Sequence, residues 1–424
     1  MRPTTFSIGY HQLHPDVSMN FQMNRWFSGV GEKAMLDEMR NIAPRIANYA
    51  DWKREFLKLA ETATAQGHTL RAGTYYRSAE FFMQPGDPDR KTARASFLAA
   101  VRSVYELDPK ERYQVPYSEG AITGFLPAYR FTPVPSKGTI VFFVGFDSYT
   151  EDWIAALLHL RGQGYQVIAF EGPGQGGALN DSNLPMTPDW HKPVKAILDY
   201  FKLDHVTLCG LSIGGCLVMR AAAYEPRIDR VIAYDIFPDG LDVNLRQLSW
   251  PKRHMLNSLL KIRAKAVVNL MASRVVRTSP VAEWGLAQGM HVTGTSSPYD
   301  YLQEIAKYTT ADVSPLITQD VLLLAGNADH YVPVDHFYRQ IRMLKNARSI
   351  TARLFTEQES AGNHCQIGNY GLALRTIVNW MDALTLSVVD QKWQPAIETG
   401  HSETLTKTLA LPEDSKLLGA ARTK

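Results

Sequence analysis

Residues 206–222 read Val-Thr-Leu-Cys-Gly-Leu-Ser-Ile-Gly-Gly-Cys-Leu-Val-Met-Arg-Ala-Ala. A short apolar run meets Gly-Leu-Ser-Ile-Gly, and a run of helix formers follows. Strand, sharp turn and helix in that order are the context of a nucleophile elbow. The turn forces Ser212 into a strained backbone, and Gly210 and Gly214 relieve the crowding on either side. The Ser212 hydroxyl then stands at the carboxyl edge of a sheet, and the Ile213 N–H points into the same space as an oxyanion donor. A bare Gly-x-Ser-x-Gly is common by chance; the strand before it and the helix after it carry the reading.

A serine hydroxyl is a weak nucleophile and needs a base, and the base needs a group to orient it. In a chain of this kind the order is serine, acid, histidine. The apolar run 321–325 ends in Gly-Asn-Ala-Asp-His, which places Asp329 in the loop past a buried strand, where the acid belongs. Asp312, Asp320 and Asp335 compete less well, since Asp320 precedes that strand and Asp335 enters the next helix. His364 lies in a loop between strand 350–355 and the final helix, at the same sheet edge, and is the expected base. His330 and His336 are its rivals. His330 adjoins the acid and could not easily reach Ser212 while Asp329 orients it.

A second oxyanion donor is expected from the loop after an earlier strand. Phe143-Val144-Gly145-Phe146-Asp147 is that loop, with Phe146 as donor and Gly145 permitting close approach. Asp147 has two readings: a carboxyl that assists the chemistry or holds a polar substrate, or a helix N-cap or turn residue ahead of residues 148–153.

Around these residues the 424-residue chain divides into zones. Residues 20–107 carry helical spacing at 51–65, 71–82 and 90–105 and no strand pattern. Aromatic alternation at 121–131 suggests a strand or hairpin. Short buried-strand candidates follow at 139–144, 165–170, 205–210, 230–235, 320–325 and 350–355. Helical stretches lie between many of them, at 151–162, 189–201, 213–225, 333–345 and 369–384. Strands alternating with helices predict a mainly parallel, doubly wound α/β sheet. Residues 255–277 read as one long basic helix, either a lid over a pocket or a surface for a membrane or partner. The expected organisation is a helical cap module at 1–112, a core at 113–237, a helical lid insertion at 238–312, the rest of the core at 313–390 and a tail at 391–424.

Hydrophobic residues make up 45% and charged residues 21%, which excludes a disordered or collagen-like chain. A net charge of +3 is too balanced for a nucleic-acid surface. Three cysteines (Cys209, Cys216 and Cys365) are too few for a disulfide scaffold and point to a reducing compartment. The polar start and the short apolar runs predict neither a secretory signal nor a membrane span, hence a cytoplasmic location. Gly172-Pro173-Gly174-Gln175-Gly176-Gly177 fits a Gly-x-Gly-x-x-Gly spacing, but Pro173 interrupts it, no helix is expected to open there directly and no Lys-Ser/Thr follows. A structural turn at the floor of the site is expected instead of a phosphate cradle. Neither His-Glu-x-x-His nor paired Cys-x-x-Cys is present, so no metal and no cofactor is expected. The expected partner is a small-molecule substrate. Oligomeric state is open, although a helical cap of this kind could pair subunits as a homodimer.

Gly145-Phe146-Asp147-Ser148, Phe170-Glu171-Gly172-Pro173-Gly174-Gln175-Gly176, Gly210–Gly215, Ala325-Gly326-Asn327-Ala328-Asp329-His330 and Asn363-His364-Cys365 together resemble the α/β-hydrolase superfamily. More narrowly they resemble its branch with an N-terminal helical cap, which includes 2,6-dihydroxypseudooxynicotine hydrolase and fungal polyketide-shortening hydrolases of yellowish-green pigment formation. The resemblance spans roughly residues 20–385, and the Gly-Pro-Gly-Gln-Gly block is its most family-specific piece. It implies a triad of Ser212, Asp329 and His364. It also implies hydrolysis of a carbon–carbon bond beside a ketone in some members and of esters or thioesters in others. The nicotine-pathway enzyme has an assisting glutamate after the first strand. The matching position here is Asp147, whose shorter side chain departs from that pattern. An acyltransferase or cyclase using the same triad, and a non-catalytic ligand-binding member, are the other classes such a chain allows.

Overall fold

The computed structural model describes residues 6–390 except Gln247 and Thr278; the expected tail at 391–424 lies outside the described residues. Eight strands form one sheet: β1 (Arg112–Glu119), β2 (Ile122–Phe131), β3 (Thr139–Phe143), β4 (Gln166–Phe170), β5 (Val206–Leu211), β6 (Ile228–Tyr234), β7 (Asp320–Gly326) and β8 (Ser349–Phe355). Their order across the sheet is β1-β2-β4-β3-β5-β6-β7-β8. β1 and β2 form a hairpin, and β2 runs antiparallel to β4; every other neighbour is parallel. The alternation at 121–131 is the second arm of that hairpin. β3 and β4 are apolar along nearly their whole length, as is β7 after Asp320, and all of β4, β5 and β7 is buried. That is the pattern of strands covered on both faces.

Before the sheet come five helices: α1 (Val17–Val30), α2 (Lys33–Ile42), α3 (Tyr49–Ala65), α4 (Thr69–Phe81) and α5 (Arg90–Val104). Asp16 caps α1 by accepting the Met19 N–H at 2.9 Å, and Asn48 caps α3 in the same way through Asp51. Pro88 stands ahead of α5, outside its first turn. Trp26, Phe27, Tyr75, Phe81 and Phe82 are buried together with Trp52 and Phe56. These aromatics form a core of the helical segment's own.

The sheet's helices are α6 (Ile154–Gly162), α7 (Gly176–Asn180), α8 (His191–Phe201) and α9 (Gly214–Ala222), and, after β7, α15 (Val334–Met343) and α16 (Tyr370–Asp390). Between β6 and β7 the chain makes α10 (Gly240–Leu245), α11 (Trp250–Lys261), α12 (Lys265–Val276), α13 (Pro280–Thr293) and α14 (Pro298–Ile305). The single helix expected at 255–277 is therefore two. The break falls at Ile262–Ala264, where Arg263 takes a left-handed φ of 57°, a conformation that ends a right-handed helix. Among the described residues no helix is long and apolar enough to cross a membrane.

The strand order sets where a site can form. β4 lies on one side of β3 and β5 on the other. The chain thus reverses its direction of winding between β3 and β5. In open α/β sheets the crevice at such a reversal, beyond the carboxyl ends of the strands, is where ligands bind. The loop after β3 and the turn after β5 flank that crevice.

Candidate active site

Ser212 sits between β5 and α9 with a φ of 60°. The glycines around it are required by space. A side chain on Gly210 would collide with the Gly214 carbonyl, and one on Gly214 would press on the Phe143 ring at 3.1 Å. The Ser212 N–H donates to the Tyr234 carbonyl at 2.8 Å, which fixes the turn to β6. The expectation of a strained serine between two crowded glycines is met in detail.

Ser212 Oγ lies 2.8 Å from His364 Nε2, and His364 Nδ1 lies 2.6 Å from Asp329 Oδ2. The other Asp329 oxygen accepts the backbone N–H groups of Tyr331 (2.7 Å) and Val332 (2.9 Å). Three residues from three separate loops are thus joined at one sheet edge. The competing acids are engaged elsewhere: Asp312 with Arg220, Asp320 with Arg348 and Ser349, Asp335 with Arg246. His336 pairs with Asp242 at 2.7 Å.

The charges of this chain follow from its surroundings. Burial pushes the Asp329 carboxyl up, but the His364 ring and the donated hydrogen bonds outweigh it and hold the group below its ordinary value. Burial also disfavours a charged His364, yet the Asp329 carboxylate and the neighbouring Cys365 raise its pKa well above that of a free imidazole. His330 goes the other way. Burial, only partly opposed by Asp329, lowers it to about 4, so it stays neutral. Its ring packs on Phe21 (4.8 Å) and Tyr331 (3.9 Å).

The loop after β3 abuts the serine: a Cβ on Gly145 would stand 3.0 Å from the Ser212 Cβ. Among the described residues, neither the Phe146 nor the Ile213 backbone N–H has a protein acceptor. Gln175 holds this loop in place. Its Oε1 accepts the Gly172 N–H at 2.9 Å, and its Nε2 donates to the carbonyls of Val144 and Gly145. The Gly-Pro-Gly-Gln-Gly block therefore is the expected turn on the floor of the site, and its glutamine is the working part. A short helix, α7, does open at Gly176, against expectation. Glu171 accepts the Thr150 and Gly177 N–H groups at 2.8 and 2.6 Å and ties the two loops together.

Asp147 is not a helix cap. Tyr149 and Asp152 cap the short turn that follows. The Asp147 carboxylate pairs with Arg25 of α1 at 3.4 Å and is partly exposed. Arg25 also donates to Ser148 Oγ (2.8 Å) and Asp152 (3.0 Å). From the same helix Phe21 lies over the site, with its ring 6.1 Å from His364 and 5.7 Å from Tyr331. The first helix thus roofs this edge of the sheet.

A protein-family model described as "alpha/beta hydrolase fold" matches residues 138–367, more than half of the chain. The chain belongs to the α/β-hydrolase fold family. Among relatives of this hydrolase, "Hydrolyase poxO" of Penicillium oxalicum is 30% identical over 363 residues, 77% of this chain and 84% of the relative. "20-hydroxy-prefusarin hydrolase FUS2" of Gibberella moniliformis is 25% identical over 418 residues, 88% of this chain and 98% of the relative. The solved structure of 2,6-dihydroxy-pseudo-oxynicotine hydrolase shares the fold with a TM-score of 0.56 at 19% identity, covering 85% of this chain and 94% of that one. AbyA5 does so with a TM-score of 0.61 at 16% identity, covering 88% and 99%. The hydrolase assignment expected from the motifs is met.

Sequence reasoning missed three residues that the structure brings to this candidate site. Phe21 and Arg25 belong to a helix far upstream, and nothing local marks them. Asp235 ends the strand read at 230–235 and lies 3.9 Å from His364 Nδ1. An aspartate at the carboxyl end of a buried strand is a signal that a search restricted to the strand before Asp329 passes over.

Proposed function

We propose that this hydrolase transfers acyl groups to water through Ser212, with His364 as base and Asp329 as the acid that orients it. The observation that carries the reading is the unbroken hydrogen-bonded chain from Ser212 Oγ through His364 to Asp329, at 2.8 and 2.6 Å. His364 takes the Ser212 proton as Oγ attacks a carbonyl carbon. Asp329 holds the Nδ1–H tautomer and stabilises the imidazolium. The Phe146 and Ile213 N–H groups receive the developing oxyanion, a contribution of about 3 kcal/mol for a typical donor. His364 then protonates the leaving group, and water releases the acyl enzyme by the same steps in reverse.

The substrate class proposed is a small, largely apolar or aromatic metabolite, cleaved at an ester or at a carbon–carbon bond beside a ketone. A roof of Phe21, Tyr331 and neutral His330 over the triad suits such a molecule. One fungal relative is named a hydrolase of 20-hydroxy-prefusarin, which fits a small-molecule substrate. A carbon leaving group must be stabilised by a second carbonyl or an electron-poor ring. Asp147, polar, partly exposed and held by Arg25, is the residue proposed to assist there.

Product analysis on two matched panels tests this. One panel holds aryl and alkyl esters, the other β-diketones and acylated dihydroxy-aromatics with the same acyl groups. Ser212→Ala is expected to abolish all turnover while keeping the fold; activity that survives it would sink the triad. Cleavage of the ketone panel assigns carbon–carbon hydrolysis. Cleavage of esters alone makes the enzyme a carboxylesterase and removes Asp147 from the chemistry.

A further inference from the structure

We infer that Asp235 is a second acid for His364, a positioning residue that holds the histidine loop and can take over the imidazole when Asp329 is lost. The inference rests on the triad reading above.

The geometry is the first support. β6 and β7 are parallel neighbours, and Asp235 and Asp329 follow their carboxyl ends. Both carboxyl groups therefore reach the same edge of His364. Asp329 Oδ2 is 2.6 Å from Nδ1 and Asp235 Oδ2 is 3.9 Å from it. One carboxylate oxygen from each aspartate and a ring nitrogen of His364 fit within a 4.8 Å span. The ring edge that carries Nδ1 therefore faces both carboxylates.

The second support is how Asp235 is held. It is 1% exposed. Its Oδ1 accepts the Ile236 N–H at 3.0 Å, and its Oδ2 accepts the Cys365 N–H at 3.2 Å and the Gln366 side-chain amide at 3.4 Å. Cys365 and Gln366 both carry left-handed backbones, with φ of 51° and 50°. Asp235 thus anchors a strained loop directly after His364. A carboxyl group this buried, among the described residues, has no arginine or lysine partner; the imidazole is the cation nearest to it. A buried charge without a counter-charge is costly, and His364 is the group here that can supply one when Asp235 ionises.

The third support is the division of charge. Burial, then the facing Asp329 carboxylate, drive the Asp235 carboxyl well above its ordinary range. Two carboxyl groups this close do not both ionise, so Asp329 carries the charge and Asp235 the proton. Removing the Asp329 charge removes that repulsion, and the imidazolium beside Asp235 then works against the burial that remains. The Oγ proton of Ser212 still passes to Nε2, and Nδ1–H donates to whichever carboxylate is present. No proton is consumed.

A double-mutant cycle on the full chain decides it. Asp235→Asn keeps the shape and one acceptor oxygen, enough for Cys365 but not also for Ile236, and is expected to lower kcat by less than Asp329→Asn does. Asp329→Asn is expected to lower kcat with KM unchanged, yet to stay at least tenfold above Asp329→Asn/Asp235→Asn, a coupling that only residues serving one group produce. The low-field proton resonance of His364 Nδ1–H should persist, shifted, in Asp329→Asn and vanish in the double variant. Equal activity in Asp329→Asn and the double variant would overturn the inference. So would an Asp235→Asn enzyme as poor as the double variant, since loop support alone then explains it. Thermal melts check folding of each. Ser212→Ala reports on the triad separately: its failure to abolish turnover would remove the triad itself, whatever the cycle shows.

Discussion

In the proposed mechanism Ser212 and His364 work only when the imidazole is neutral, and this sets the expected response to pH. Burial favours the neutral ring, but Asp329 and Cys365 together raise the His364 pKa above 6.5. Activity should therefore rise with pH through an apparent pKa above that of a free histidine. Asp329→Asn should move this limb to lower pH, and a pH series of kcat/KM checks it. Gln175 carries a second expectation. Its amide clamps the Val144 and Gly145 carbonyls from inside the fold. Gln175→Leu removes the clamp and lets the Phe146 N–H drift from the oxyanion. A loss of about tenfold to a hundredfold in kcat, with KM nearly unchanged, is expected, somewhat below the loss of a whole oxyanion donor. At this scale much of the site is legible in the sequence, because the serine turn, the acid loop and the histidine loop each follow a strand that reads clearly. Asp235 and Gln175 are less so: both are ordinary polar residues until the sheet brings them to one edge.

Helices and strands divide by how local their causes are. The central strands are apolar almost throughout, so they read plainly. The break at Arg263 is invisible because no glycine or proline marks it; only the left-handed φ ends α11. α1 is the other element the sequence leaves unplaced. Its helical character is readable, but its position over the triad depends on Arg25 meeting Ser148 and Asp152, residues more than a hundred positions away. Phe21 is buried in this roof. Phe21→Ala should raise KM for apolar substrates and cost about 3 kcal/mol or more in stability, as for other buried phenylalanines. Steady-state kinetics and chemical denaturation separate the two effects.

Across the molecule the helical N-terminal segment and the sheet are joined by charge pairs, and the one centred on Arg77 is buried. Arg77 of α4 is 2% exposed at its side chain; it pairs with Glu80 and donates to Asp152 at 3.0 Å. Arg102 of α5 reaches Glu151 at 2.7 Å, and Arg94 reaches Asp181 at 2.7 Å. Breaking a buried pair strands its partner, so Arg77→Ala should cost about 3 kcal/mol or more. Because Asp152 stands in the loop that follows Asp147, the same variant should weaken turnover. Urea unfolding followed by fluorescence, with kcat measured in parallel, tests both. These long-range pairs are what sequence reading cannot supply: the residues are plainly charged, but only the fold pairs them. The account as a whole turns on Ser212 being the nucleophile that His364 activates. Reaction with a fluorophosphonate and peptide mass spectrometry measures this most directly. The account predicts one adduct, on Ser212, whose formation slows by orders of magnitude in His364→Ala. An unmodified Ser212, or labelling at the same rate without the histidine, would contradict it.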